Sequence, residues 1–295
     1  MKILIVSNLY PPSVRGGAEM IARDTAQEAV RQGHEVSVLS TSPSGGELER
    51  DELEGVGVYR FEPSLPYYLL DDADQKLRAR IIWHIKDLVG TRTTRLLVRE
   101  VIKETSPDLI VSFNLRGMEI GSVAREIKRS RTIWYHELHD VQLLIPSGLK
   151  WFGPEARKGL RWLWQNPVLA RIYQRCVAHI MSSPHEIVGP SQYIVDAHKD
   201  ASMFKKSSSR VIINPVKMSE ETVARTRDRD SKKATRLLYV GQLEPHKGVH
   251  DLIEALNHVD EHKIRLDIVG DGSWKEELVS IAVETPENID IKFRG

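Results

Sequence analysis

Positions 3 to 6, Ile3-Leu4-Ile5-Val6, are apolar without interruption, and no other feature constrains the fold of this chain as much. A half-buried strand alternates apolar and polar residues, whereas a continuous apolar run is what a strand shows when both of its faces are covered, as in a parallel sheet. A loop with Pro11, Pro12, Gly16 and Gly17 follows. A helix is predicted from about Ala18 to Gln32, with Ile21, Ala22, Thr25, Ala26 and Ala29 on one face and Gly33 placed to end it. The pattern then repeats. Strands are predicted at Glu35 to Ser40, Val56 to Phe61, Asp108 to Phe113 and Thr132 to Tyr135, with a long helical stretch between Asp74 and Lys103 and a helix from about Met118 to Lys128. Strands alternating with helices require a parallel sheet with right-handed crossovers, the α/β class.

Further along, Glu186 to Val188 and Arg210 to Ile213 read as short buried strands separated by a helix starting near Ser191. The composition then shifts, because residues 217–235 are polar and charged with little apolar content, as in a linker between domains. A second unit restarts the same pattern with strands Arg236 to Val240, Ile264 to Val269 and Ile289 to Phe293, and helices Val249 to Val259 and Ser273 to Val283. Ser273 and Glu276 form a capping box in the sequence. The expected organisation is residues 1–214 as one Rossmann-like domain, 215–235 as hinge and 236–295 as part of a second. Two crossovers in the same direction put both helices of the second unit on one face of its sheet. The chain is therefore expected to stop within a domain at Gly295.

A chain of 295 residues has room for two such domains, and 42 Lys+Arg against 41 Asp+Glu give a formal charge of +1, which disfavours a nucleic-acid partner. The N-terminal apolar run is too short for a signal peptide or a spanning helix, and the single cysteine, Cys176, cannot form an internal disulfide. A cytoplasmic protein is expected.

Four motifs carry chemistry. Gly16-Gly17 precedes a helix after the first strand, where backbone N–H groups and the helix dipole favour an anion; the spacing is not GxGxxG, and a turn needing positive φ is the other reading. His136, in TIWYHELHD, follows a buried strand, and ligands of open α/β sheets bind at the carboxyl ends of strands. It reads as a substrate contact or as a buried structural histidine, while His136, Glu137, His139 and Asp140 together have the residue types of a metal site. Lys247-Gly248 opens a helix after VGQLEPH, a natural place for a phosphate beside a mobile ammonium, although it is not a Walker loop. Gly270, Asp271 and Gly272 make a tight turn at the end of the neighbouring strand. Two DxD patterns, Asp72-Ala73-Asp74 and Asp228-Arg229-Asp230, follow no buried strand and read as solvated caps and loops, so no metal site is assigned.

Together the segments NLYPPSVRGGAE, VGPSQYIVDAH, RVIINPV, VGQLEPHKG and IVGDG resemble glycosyltransferase family 4 along essentially the whole chain. That resemblance implies the GT-B fold, with two Rossmann-like parallel-sheet domains of which the second is incomplete here. It also implies an enzyme of hexosyltransferase type that moves a sugar from a nucleotide diphosphate sugar to an acceptor hydroxyl with retention and no cofactor. The setting would be cell-surface polysaccharide or glycolipid synthesis, the acceptor a glycan or a lipid-linked group. By the same resemblance, Gly16 and Gly17 approach the donor diphosphate or acceptor, His136 contacts the donor sugar, and Lys247 neutralises the leaving diphosphate, with Gln242, Gly270 and Asp271 beside it. Gln242 stands where the family usually has arginine. Asn214-Pro215 replaces a common Asn-Gly, and the acidic ExxxxxxxE element is absent, so a C-terminally truncated fragment that binds an acceptor or partner without turnover is the alternative. Residues 150–175, which combine Trp151, Trp162 and Trp164 with Arg157, Lys158, Arg161 and Arg171, read as a membrane-interface contact at the inner face of the membrane, a core helix with a basic outer face, or a lid over the acceptor.

Overall fold

The computed structural model describes residues 1–43, 48–71, 75–145, 166–215, 234–259 and 262–295. The chain divides into two units, Met1–Val216 and Lys217–Gly295. In the first, β1 (Lys2–Val6) is central to an eight-stranded sheet. To one side lie β2 (Glu35–Thr41), β4 (Val56–Phe61) and the edge strand β3 (Glu49–Leu53). To the other lie β5 (Leu109–Ser112), β6 (Ile133–Glu137), β7 (Glu186–Gly189) and β8 (Ser208–Val211). Every pairing is parallel except that of β3 with β4. The strand order therefore reverses between β1 and β5, and their carboxyl ends open the crevice where such sheets take ligands.

The uninterrupted run in β1 has the expected cause. Leu4 and Val6 point into one core with α3 (Arg92–Thr105), α4 (Ile120–Ser130), α5 (Pro167–Met181) and α6 (Gln192–Asp200). Ile3 and Ile5 point into another with α1 (Gly17–Arg31), through Ala22 and Ala26. Both faces of the strand are buried, so polar residues have no place on either.

Several local elements differ from the sequence reading. The long helical stretch before Lys103 is two helices, α2 (Leu77–Val89) and α3. Gly90 separates them at φ +75°, and a Cβ there would lie 2.3 Å from Ser122 Oγ and 2.4 Å from Ser122 N. The break thus serves the close approach of α4, which periodicity within one helix does not report. Strand β3 was not expected, since Glu49-Arg50-Asp51-Glu52 is polar and pairs as an exposed antiparallel edge. β8 is exposed along its length, being the opposite edge, and not a buried strand. Pro167 is the first residue of α5, and Asn166 Oδ1 caps it, accepting from Val168 N at 3.0 Å and from Leu169 N at 3.3 Å.

The second unit has a three-stranded parallel sheet in the order β11 (Ile289–Phe293), β10 (Ile264–Val269), β9 (Thr235–Val240). Its two helices, α7 (Val249–Leu256) and α8 (Lys275–Val283), pack against each other over one face. Leu243, Val249, Ile253, Leu266, Ile268 and Leu278 fill that core, while Leu238 and Val240 on the other face are exposed among the described residues. The capping box does not form. Ser273 Oγ instead donates to Glu244 Oε2 at 2.8 Å, and α8 starts after Trp274.

Candidate functional site

In the first unit, the loops after β1 and β5 meet at the reversal of strand order. Asn8, the second residue past β1, holds them together: its backbone N donates to Asn114 O at 2.8 Å and its Nδ2 to Arg116 O at 2.9 Å. Two buried carboxylates fix the β5 loop from beneath. Asp87 Oδ1 accepts from Gly117 N at 3.0 Å and Glu119 N at 2.9 Å, and Glu119 accepts from Ser64 N, Thr91 N and Thr94 Oγ1. Burial pushes Asp87 up to about 7 against the pull of Arg116 and these N–H groups. Arg116 is held in consequence over the Trp83 ring, its guanidinium carbon 5.3 Å from the centroid. Its Nε is shielded from solvent and has no hydrogen-bond partner among the described residues.

The β6 end adds His139 and Asp140. His139 stacks on Phe113 with centroids 5.6 Å apart, and its Nε2 lies 3.2 Å from Glu137 Oε1. The Asp140 carboxyl is raised by burial, against the hydrogen bonds of Gln142. A small cavity is lined by Asn114, His136, Glu137, His139, Asp140 and Gln142 among others. A second, of about 80 Å³, is bounded by Glu62, Leu65, Tyr67, Tyr68 and Gly117.

His136 departs from expectation. It lies inside β6, opposite Ser112 and Ile187, and is 3% exposed. Its Nδ1 is 2.8 Å from Ser112 Oγ, which also accepts from Trp134 Nε1 at 2.7 Å, and its ring packs on Phe204. Burial, with smaller contributions from His198 and His139, depresses it to about 3, so the ring is neutral. The strand runs two residues further than the sequence suggested, which leaves His136 in the core and puts His139 and Asp140 beyond the strand's end. Alternation along the strand sends His136 and Glu137 to opposite faces. No group of three or more metal-ligating side chains converges among the described residues.

Gly16 and Gly17 are exposed at the start of α1, Gly16 at φ −161°, an extended value open to any residue. A Cβ on Gly17 would meet nothing within 4 Å, and one on Gly16 only Glu19 Oε2 at 3.8 Å. Neither a positive φ nor a close approach within the chain requires them to be glycine.

In the second unit, the loops after β9 and β10 interlock. Leu243 N donates to Asp271 O at 2.9 Å and Trp274 N to Leu243 O at 3.0 Å. Gly270, at φ +144°, comes so close that a Cβ would lie 1.9 Å from Gly241 O. Gln242 and Asp271 are thereby brought onto adjoining loops, both exposed, with Asp271 accepting from Gly272 N at 3.0 Å and 3.6 Å from Lys275 Nζ. Lys247 ends a short 3₁₀ turn, Pro245–Lys247, immediately before the first residues of α7. It is exposed and has no ion-pair partner among the described residues.

Asn8 and Arg116 were not singled out from the sequence. Both are polar residues just past a buried strand, the criterion that drew attention to His136, and the signal was present once the strand ends were placed. The DxD pattern at 72–74, the one at 228–230 and the tryptophans at 151, 162 and 164 lie outside the described residues.

Residues 16–208 match the family described as glycosyl transferase 4-like domain, and residues 220–295 match the family described as glycosyl transferases group 1. The chain is 26% identical over 248 residues to an uncharacterised protein of the cps region of Klebsiella pneumoniae, covering 84% of this chain and 63% of that protein. It is 41% identical over 71 residues to an uncharacterised glycosyltransferase of Methanocaldococcus jannaschii, covering 23% of this chain and 17% of that one. The chain thus spans less than two thirds of the length of either relative. Its fold is that of a trehalose-6-phosphate protein from E. coli solved with UDP-2-fluoro glucose, at TM-score 0.58 and 12% identity over 99% of this chain and 74% of that one. Anabaena HepE solved with UDP gives 0.55 and 17% over 100% and 70%, and Acinetobacter baumannii MurG gives 0.51 and 13% over 99% and 67%.

Proposed function

The chain belongs to the glycosyl transferase 4-like family, and from that premise we propose that it transfers a sugar from a nucleotide diphosphate sugar to an acceptor hydroxyl with retention, in cell-surface polysaccharide or glycolipid synthesis at the cytoplasmic face of a membrane. The observation that carries the reading is the Lys247 ammonium, exposed and without an ion-pair partner among the described residues, next to the first N–H groups of α7. Departure of a nucleotide diphosphate builds charge on its oxygens, and a positioned cation with helix N–H groups stabilises that charge without moving a proton. Solved structures of the same fold that hold UDP or a UDP-sugar support a nucleotide donor. The match to a protein of a cps region supports the polysaccharide setting. In this reading Gln242 and the Gly270–Asp271 turn border the diphosphate. On the first unit, room above Gly16 and Gly17 admits a ligand, His139 and Asp140 offer hydrogen-bonding groups, and Arg116 offers an unsatisfied donor. His136 takes a positioning role, holding the β5 and β6 ends together through Ser112.

Thermal shift with UDP, GDP and ADP, each alone, tests this reading. One of them is expected to raise the melting temperature, and Lys247→Ala to weaken that ligand about tenfold, the value of one charge-assisted contact. Equal affinity in Lys247→Ala would remove the lysine from the donor site, and no shift with any nucleotide would count against donor binding by this chain.

A further inference from the structure

Helix α2 has two faces of opposite character. Its inner face holds Trp83, stacked on Tyr67 at 5.8 Å with Nε1 donating to Tyr67 O at 3.0 Å, and Asp87, which fixes the β5 loop. At one hundred degrees per residue, Ile85 falls diametrically opposite those two. Around it Leu77, Ile81, Ile82 and Val89 are all exposed, Ile85 to 57% and Val89 to 62%. A helix whose outer arc is this aliphatic is not solvated for its own stability, since water gains nothing from five exposed branched side chains.

The exposed charge on α2 itself is of one sign, while on α3 Glu100 is exposed one turn past Leu96 and pairs with Arg50. Lys76, Arg78 and Lys86 are exposed beside it, and Arg92 and the apolar Leu96 are exposed on α3. Between Gln75 and Arg99 the sole acid in the sequence is Asp87, which is buried; the acids at 71, 72 and 74 precede the helix. α2 packs on α4, where Arg125 and Arg129 are exposed, and α4 on α5, where Arg171 and Arg175 are exposed. An aliphatic ridge set among cations complements a surface that is apolar below and anionic above. No helix of the described residues is long and apolar enough to cross a membrane, so contact of this kind lies in the interface plane.

We propose that the outer arc of α2 docks on an anionic lipid bilayer, with Leu77, Ile81, Ile82, Ile85 and Val89 entering the headgroup boundary and Arg78, Lys86 and Arg92 meeting lipid phosphates. The inner face of the same helix holds two loops, the one before α2 that carries Tyr67 and the one after β5 that carries Arg116, so docking places the cavity beside Tyr67 next to the membrane surface. The surface lies on α2 and the start of α3, and its test needs neither donor nor turnover, so it stands or falls apart from the transferase reading.

Co-sedimentation of the full chain with vesicles of phosphatidylcholine, alone or mixed with phosphatidylglycerol, tests it. Binding is expected to the mixed vesicles only and to weaken with salt. Ile82→Asp with Ile85→Asp should lower the partition coefficient at least about tenfold. Arg78→Glu with Arg92→Glu should lower it at least about 30-fold, since each cation near such a surface contributes roughly a fivefold factor. All four positions are exposed, so circular dichroism and melting are expected to be unchanged. An environment-sensitive dye on Ile85→Cys, in a Cys176→Ser background, should shift to the blue with the mixed vesicles. Binding that ignores both pairs of substitutions, a dye that does not shift, or no binding to either vesicle overturns the proposal. A concentration-dependent dimer abolished by Ile82→Asp, without vesicle binding, would assign the ridge to a second copy of the chain instead.

Discussion

Replacing His136 with Gln should change how the protein responds to acid in a way that can be worked out beforehand. The histidine is depressed to about 3 in the folded chain by burial, whereas in an unfolded chain it titrates near the ordinary 6.5. Between those values the unfolded chain binds a proton that the folded chain refuses. Stability contributed by the neutral ring is therefore fully present above about 6.5 and is lost as pH falls toward 3. The slope approaches about 1.4 kcal/mol per pH unit once the unfolded histidine is fully protonated, so between pH 6.5 and 4.5 the wild type loses about 2 kcal/mol through this one residue. His136→Gln keeps a polar group opposite Ser112 Oγ and removes the titration. Urea unfolding of both proteins at several pH values gives the difference between them, in which groups that titrate alike in both cancel. That difference should shrink by about 2 kcal/mol across the window. A difference that stays constant to within about 0.5 kcal/mol would show that the ring is not held neutral, and the placement of His136 in the core would be refuted.

Asp87 should show the opposite sign. Its folded value, raised to about 7 by burial, means that the folded chain keeps a proton the unfolded one releases, so stability falls as pH climbs from about 4 to 7. Asp87→Asn, compared with wild type by the same urea titration, should remove that slope, and an unchanged slope would place the carboxylate in water. Gly90→Ala should cost about 3 kcal/mol, because the new Cβ meets the Ser122 backbone at a positive φ. Its urea midpoint should fall accordingly, and a loss below about 1 kcal/mol would mean that α2 and α4 are not packed this closely.

How much was legible in the sequence depends on the range of the interaction behind each feature. β1, α1, β4 and β10 were legible because an apolar run or an amphipathic period is written in neighbouring residues. The Gly90 break was not, because its cause is Ser122 of α4, and β3 was not, because a polar edge strand lacks the apolar pattern. For the site, Gln242, Lys247, Gly270 and Asp271 were found on adjoining loops, since each sits next to a strand end that the sequence marks. For His136 both a ligand contact and a buried structural histidine were open in the sequence, and its strand, running two residues further than the sequence suggested, buries the ring at the edge of the small cavity.

The sequence by itself determined a parallel α/β chain with two strand-and-helix units, since burial on both faces of a strand can be met only by an uninterrupted apolar run. The tertiary structure alone decided where the strand order reverses, and hence that Asn8 and Arg116 share a crevice 108 residues apart in sequence. It also decided that His136 is neutral, through Ser112 and Phe204, and that the five aliphatic residues of α2 face outward. Hydropathy says that a side chain prefers an apolar neighbour. Which neighbour it receives is settled by the face the rest of the fold leaves uncovered.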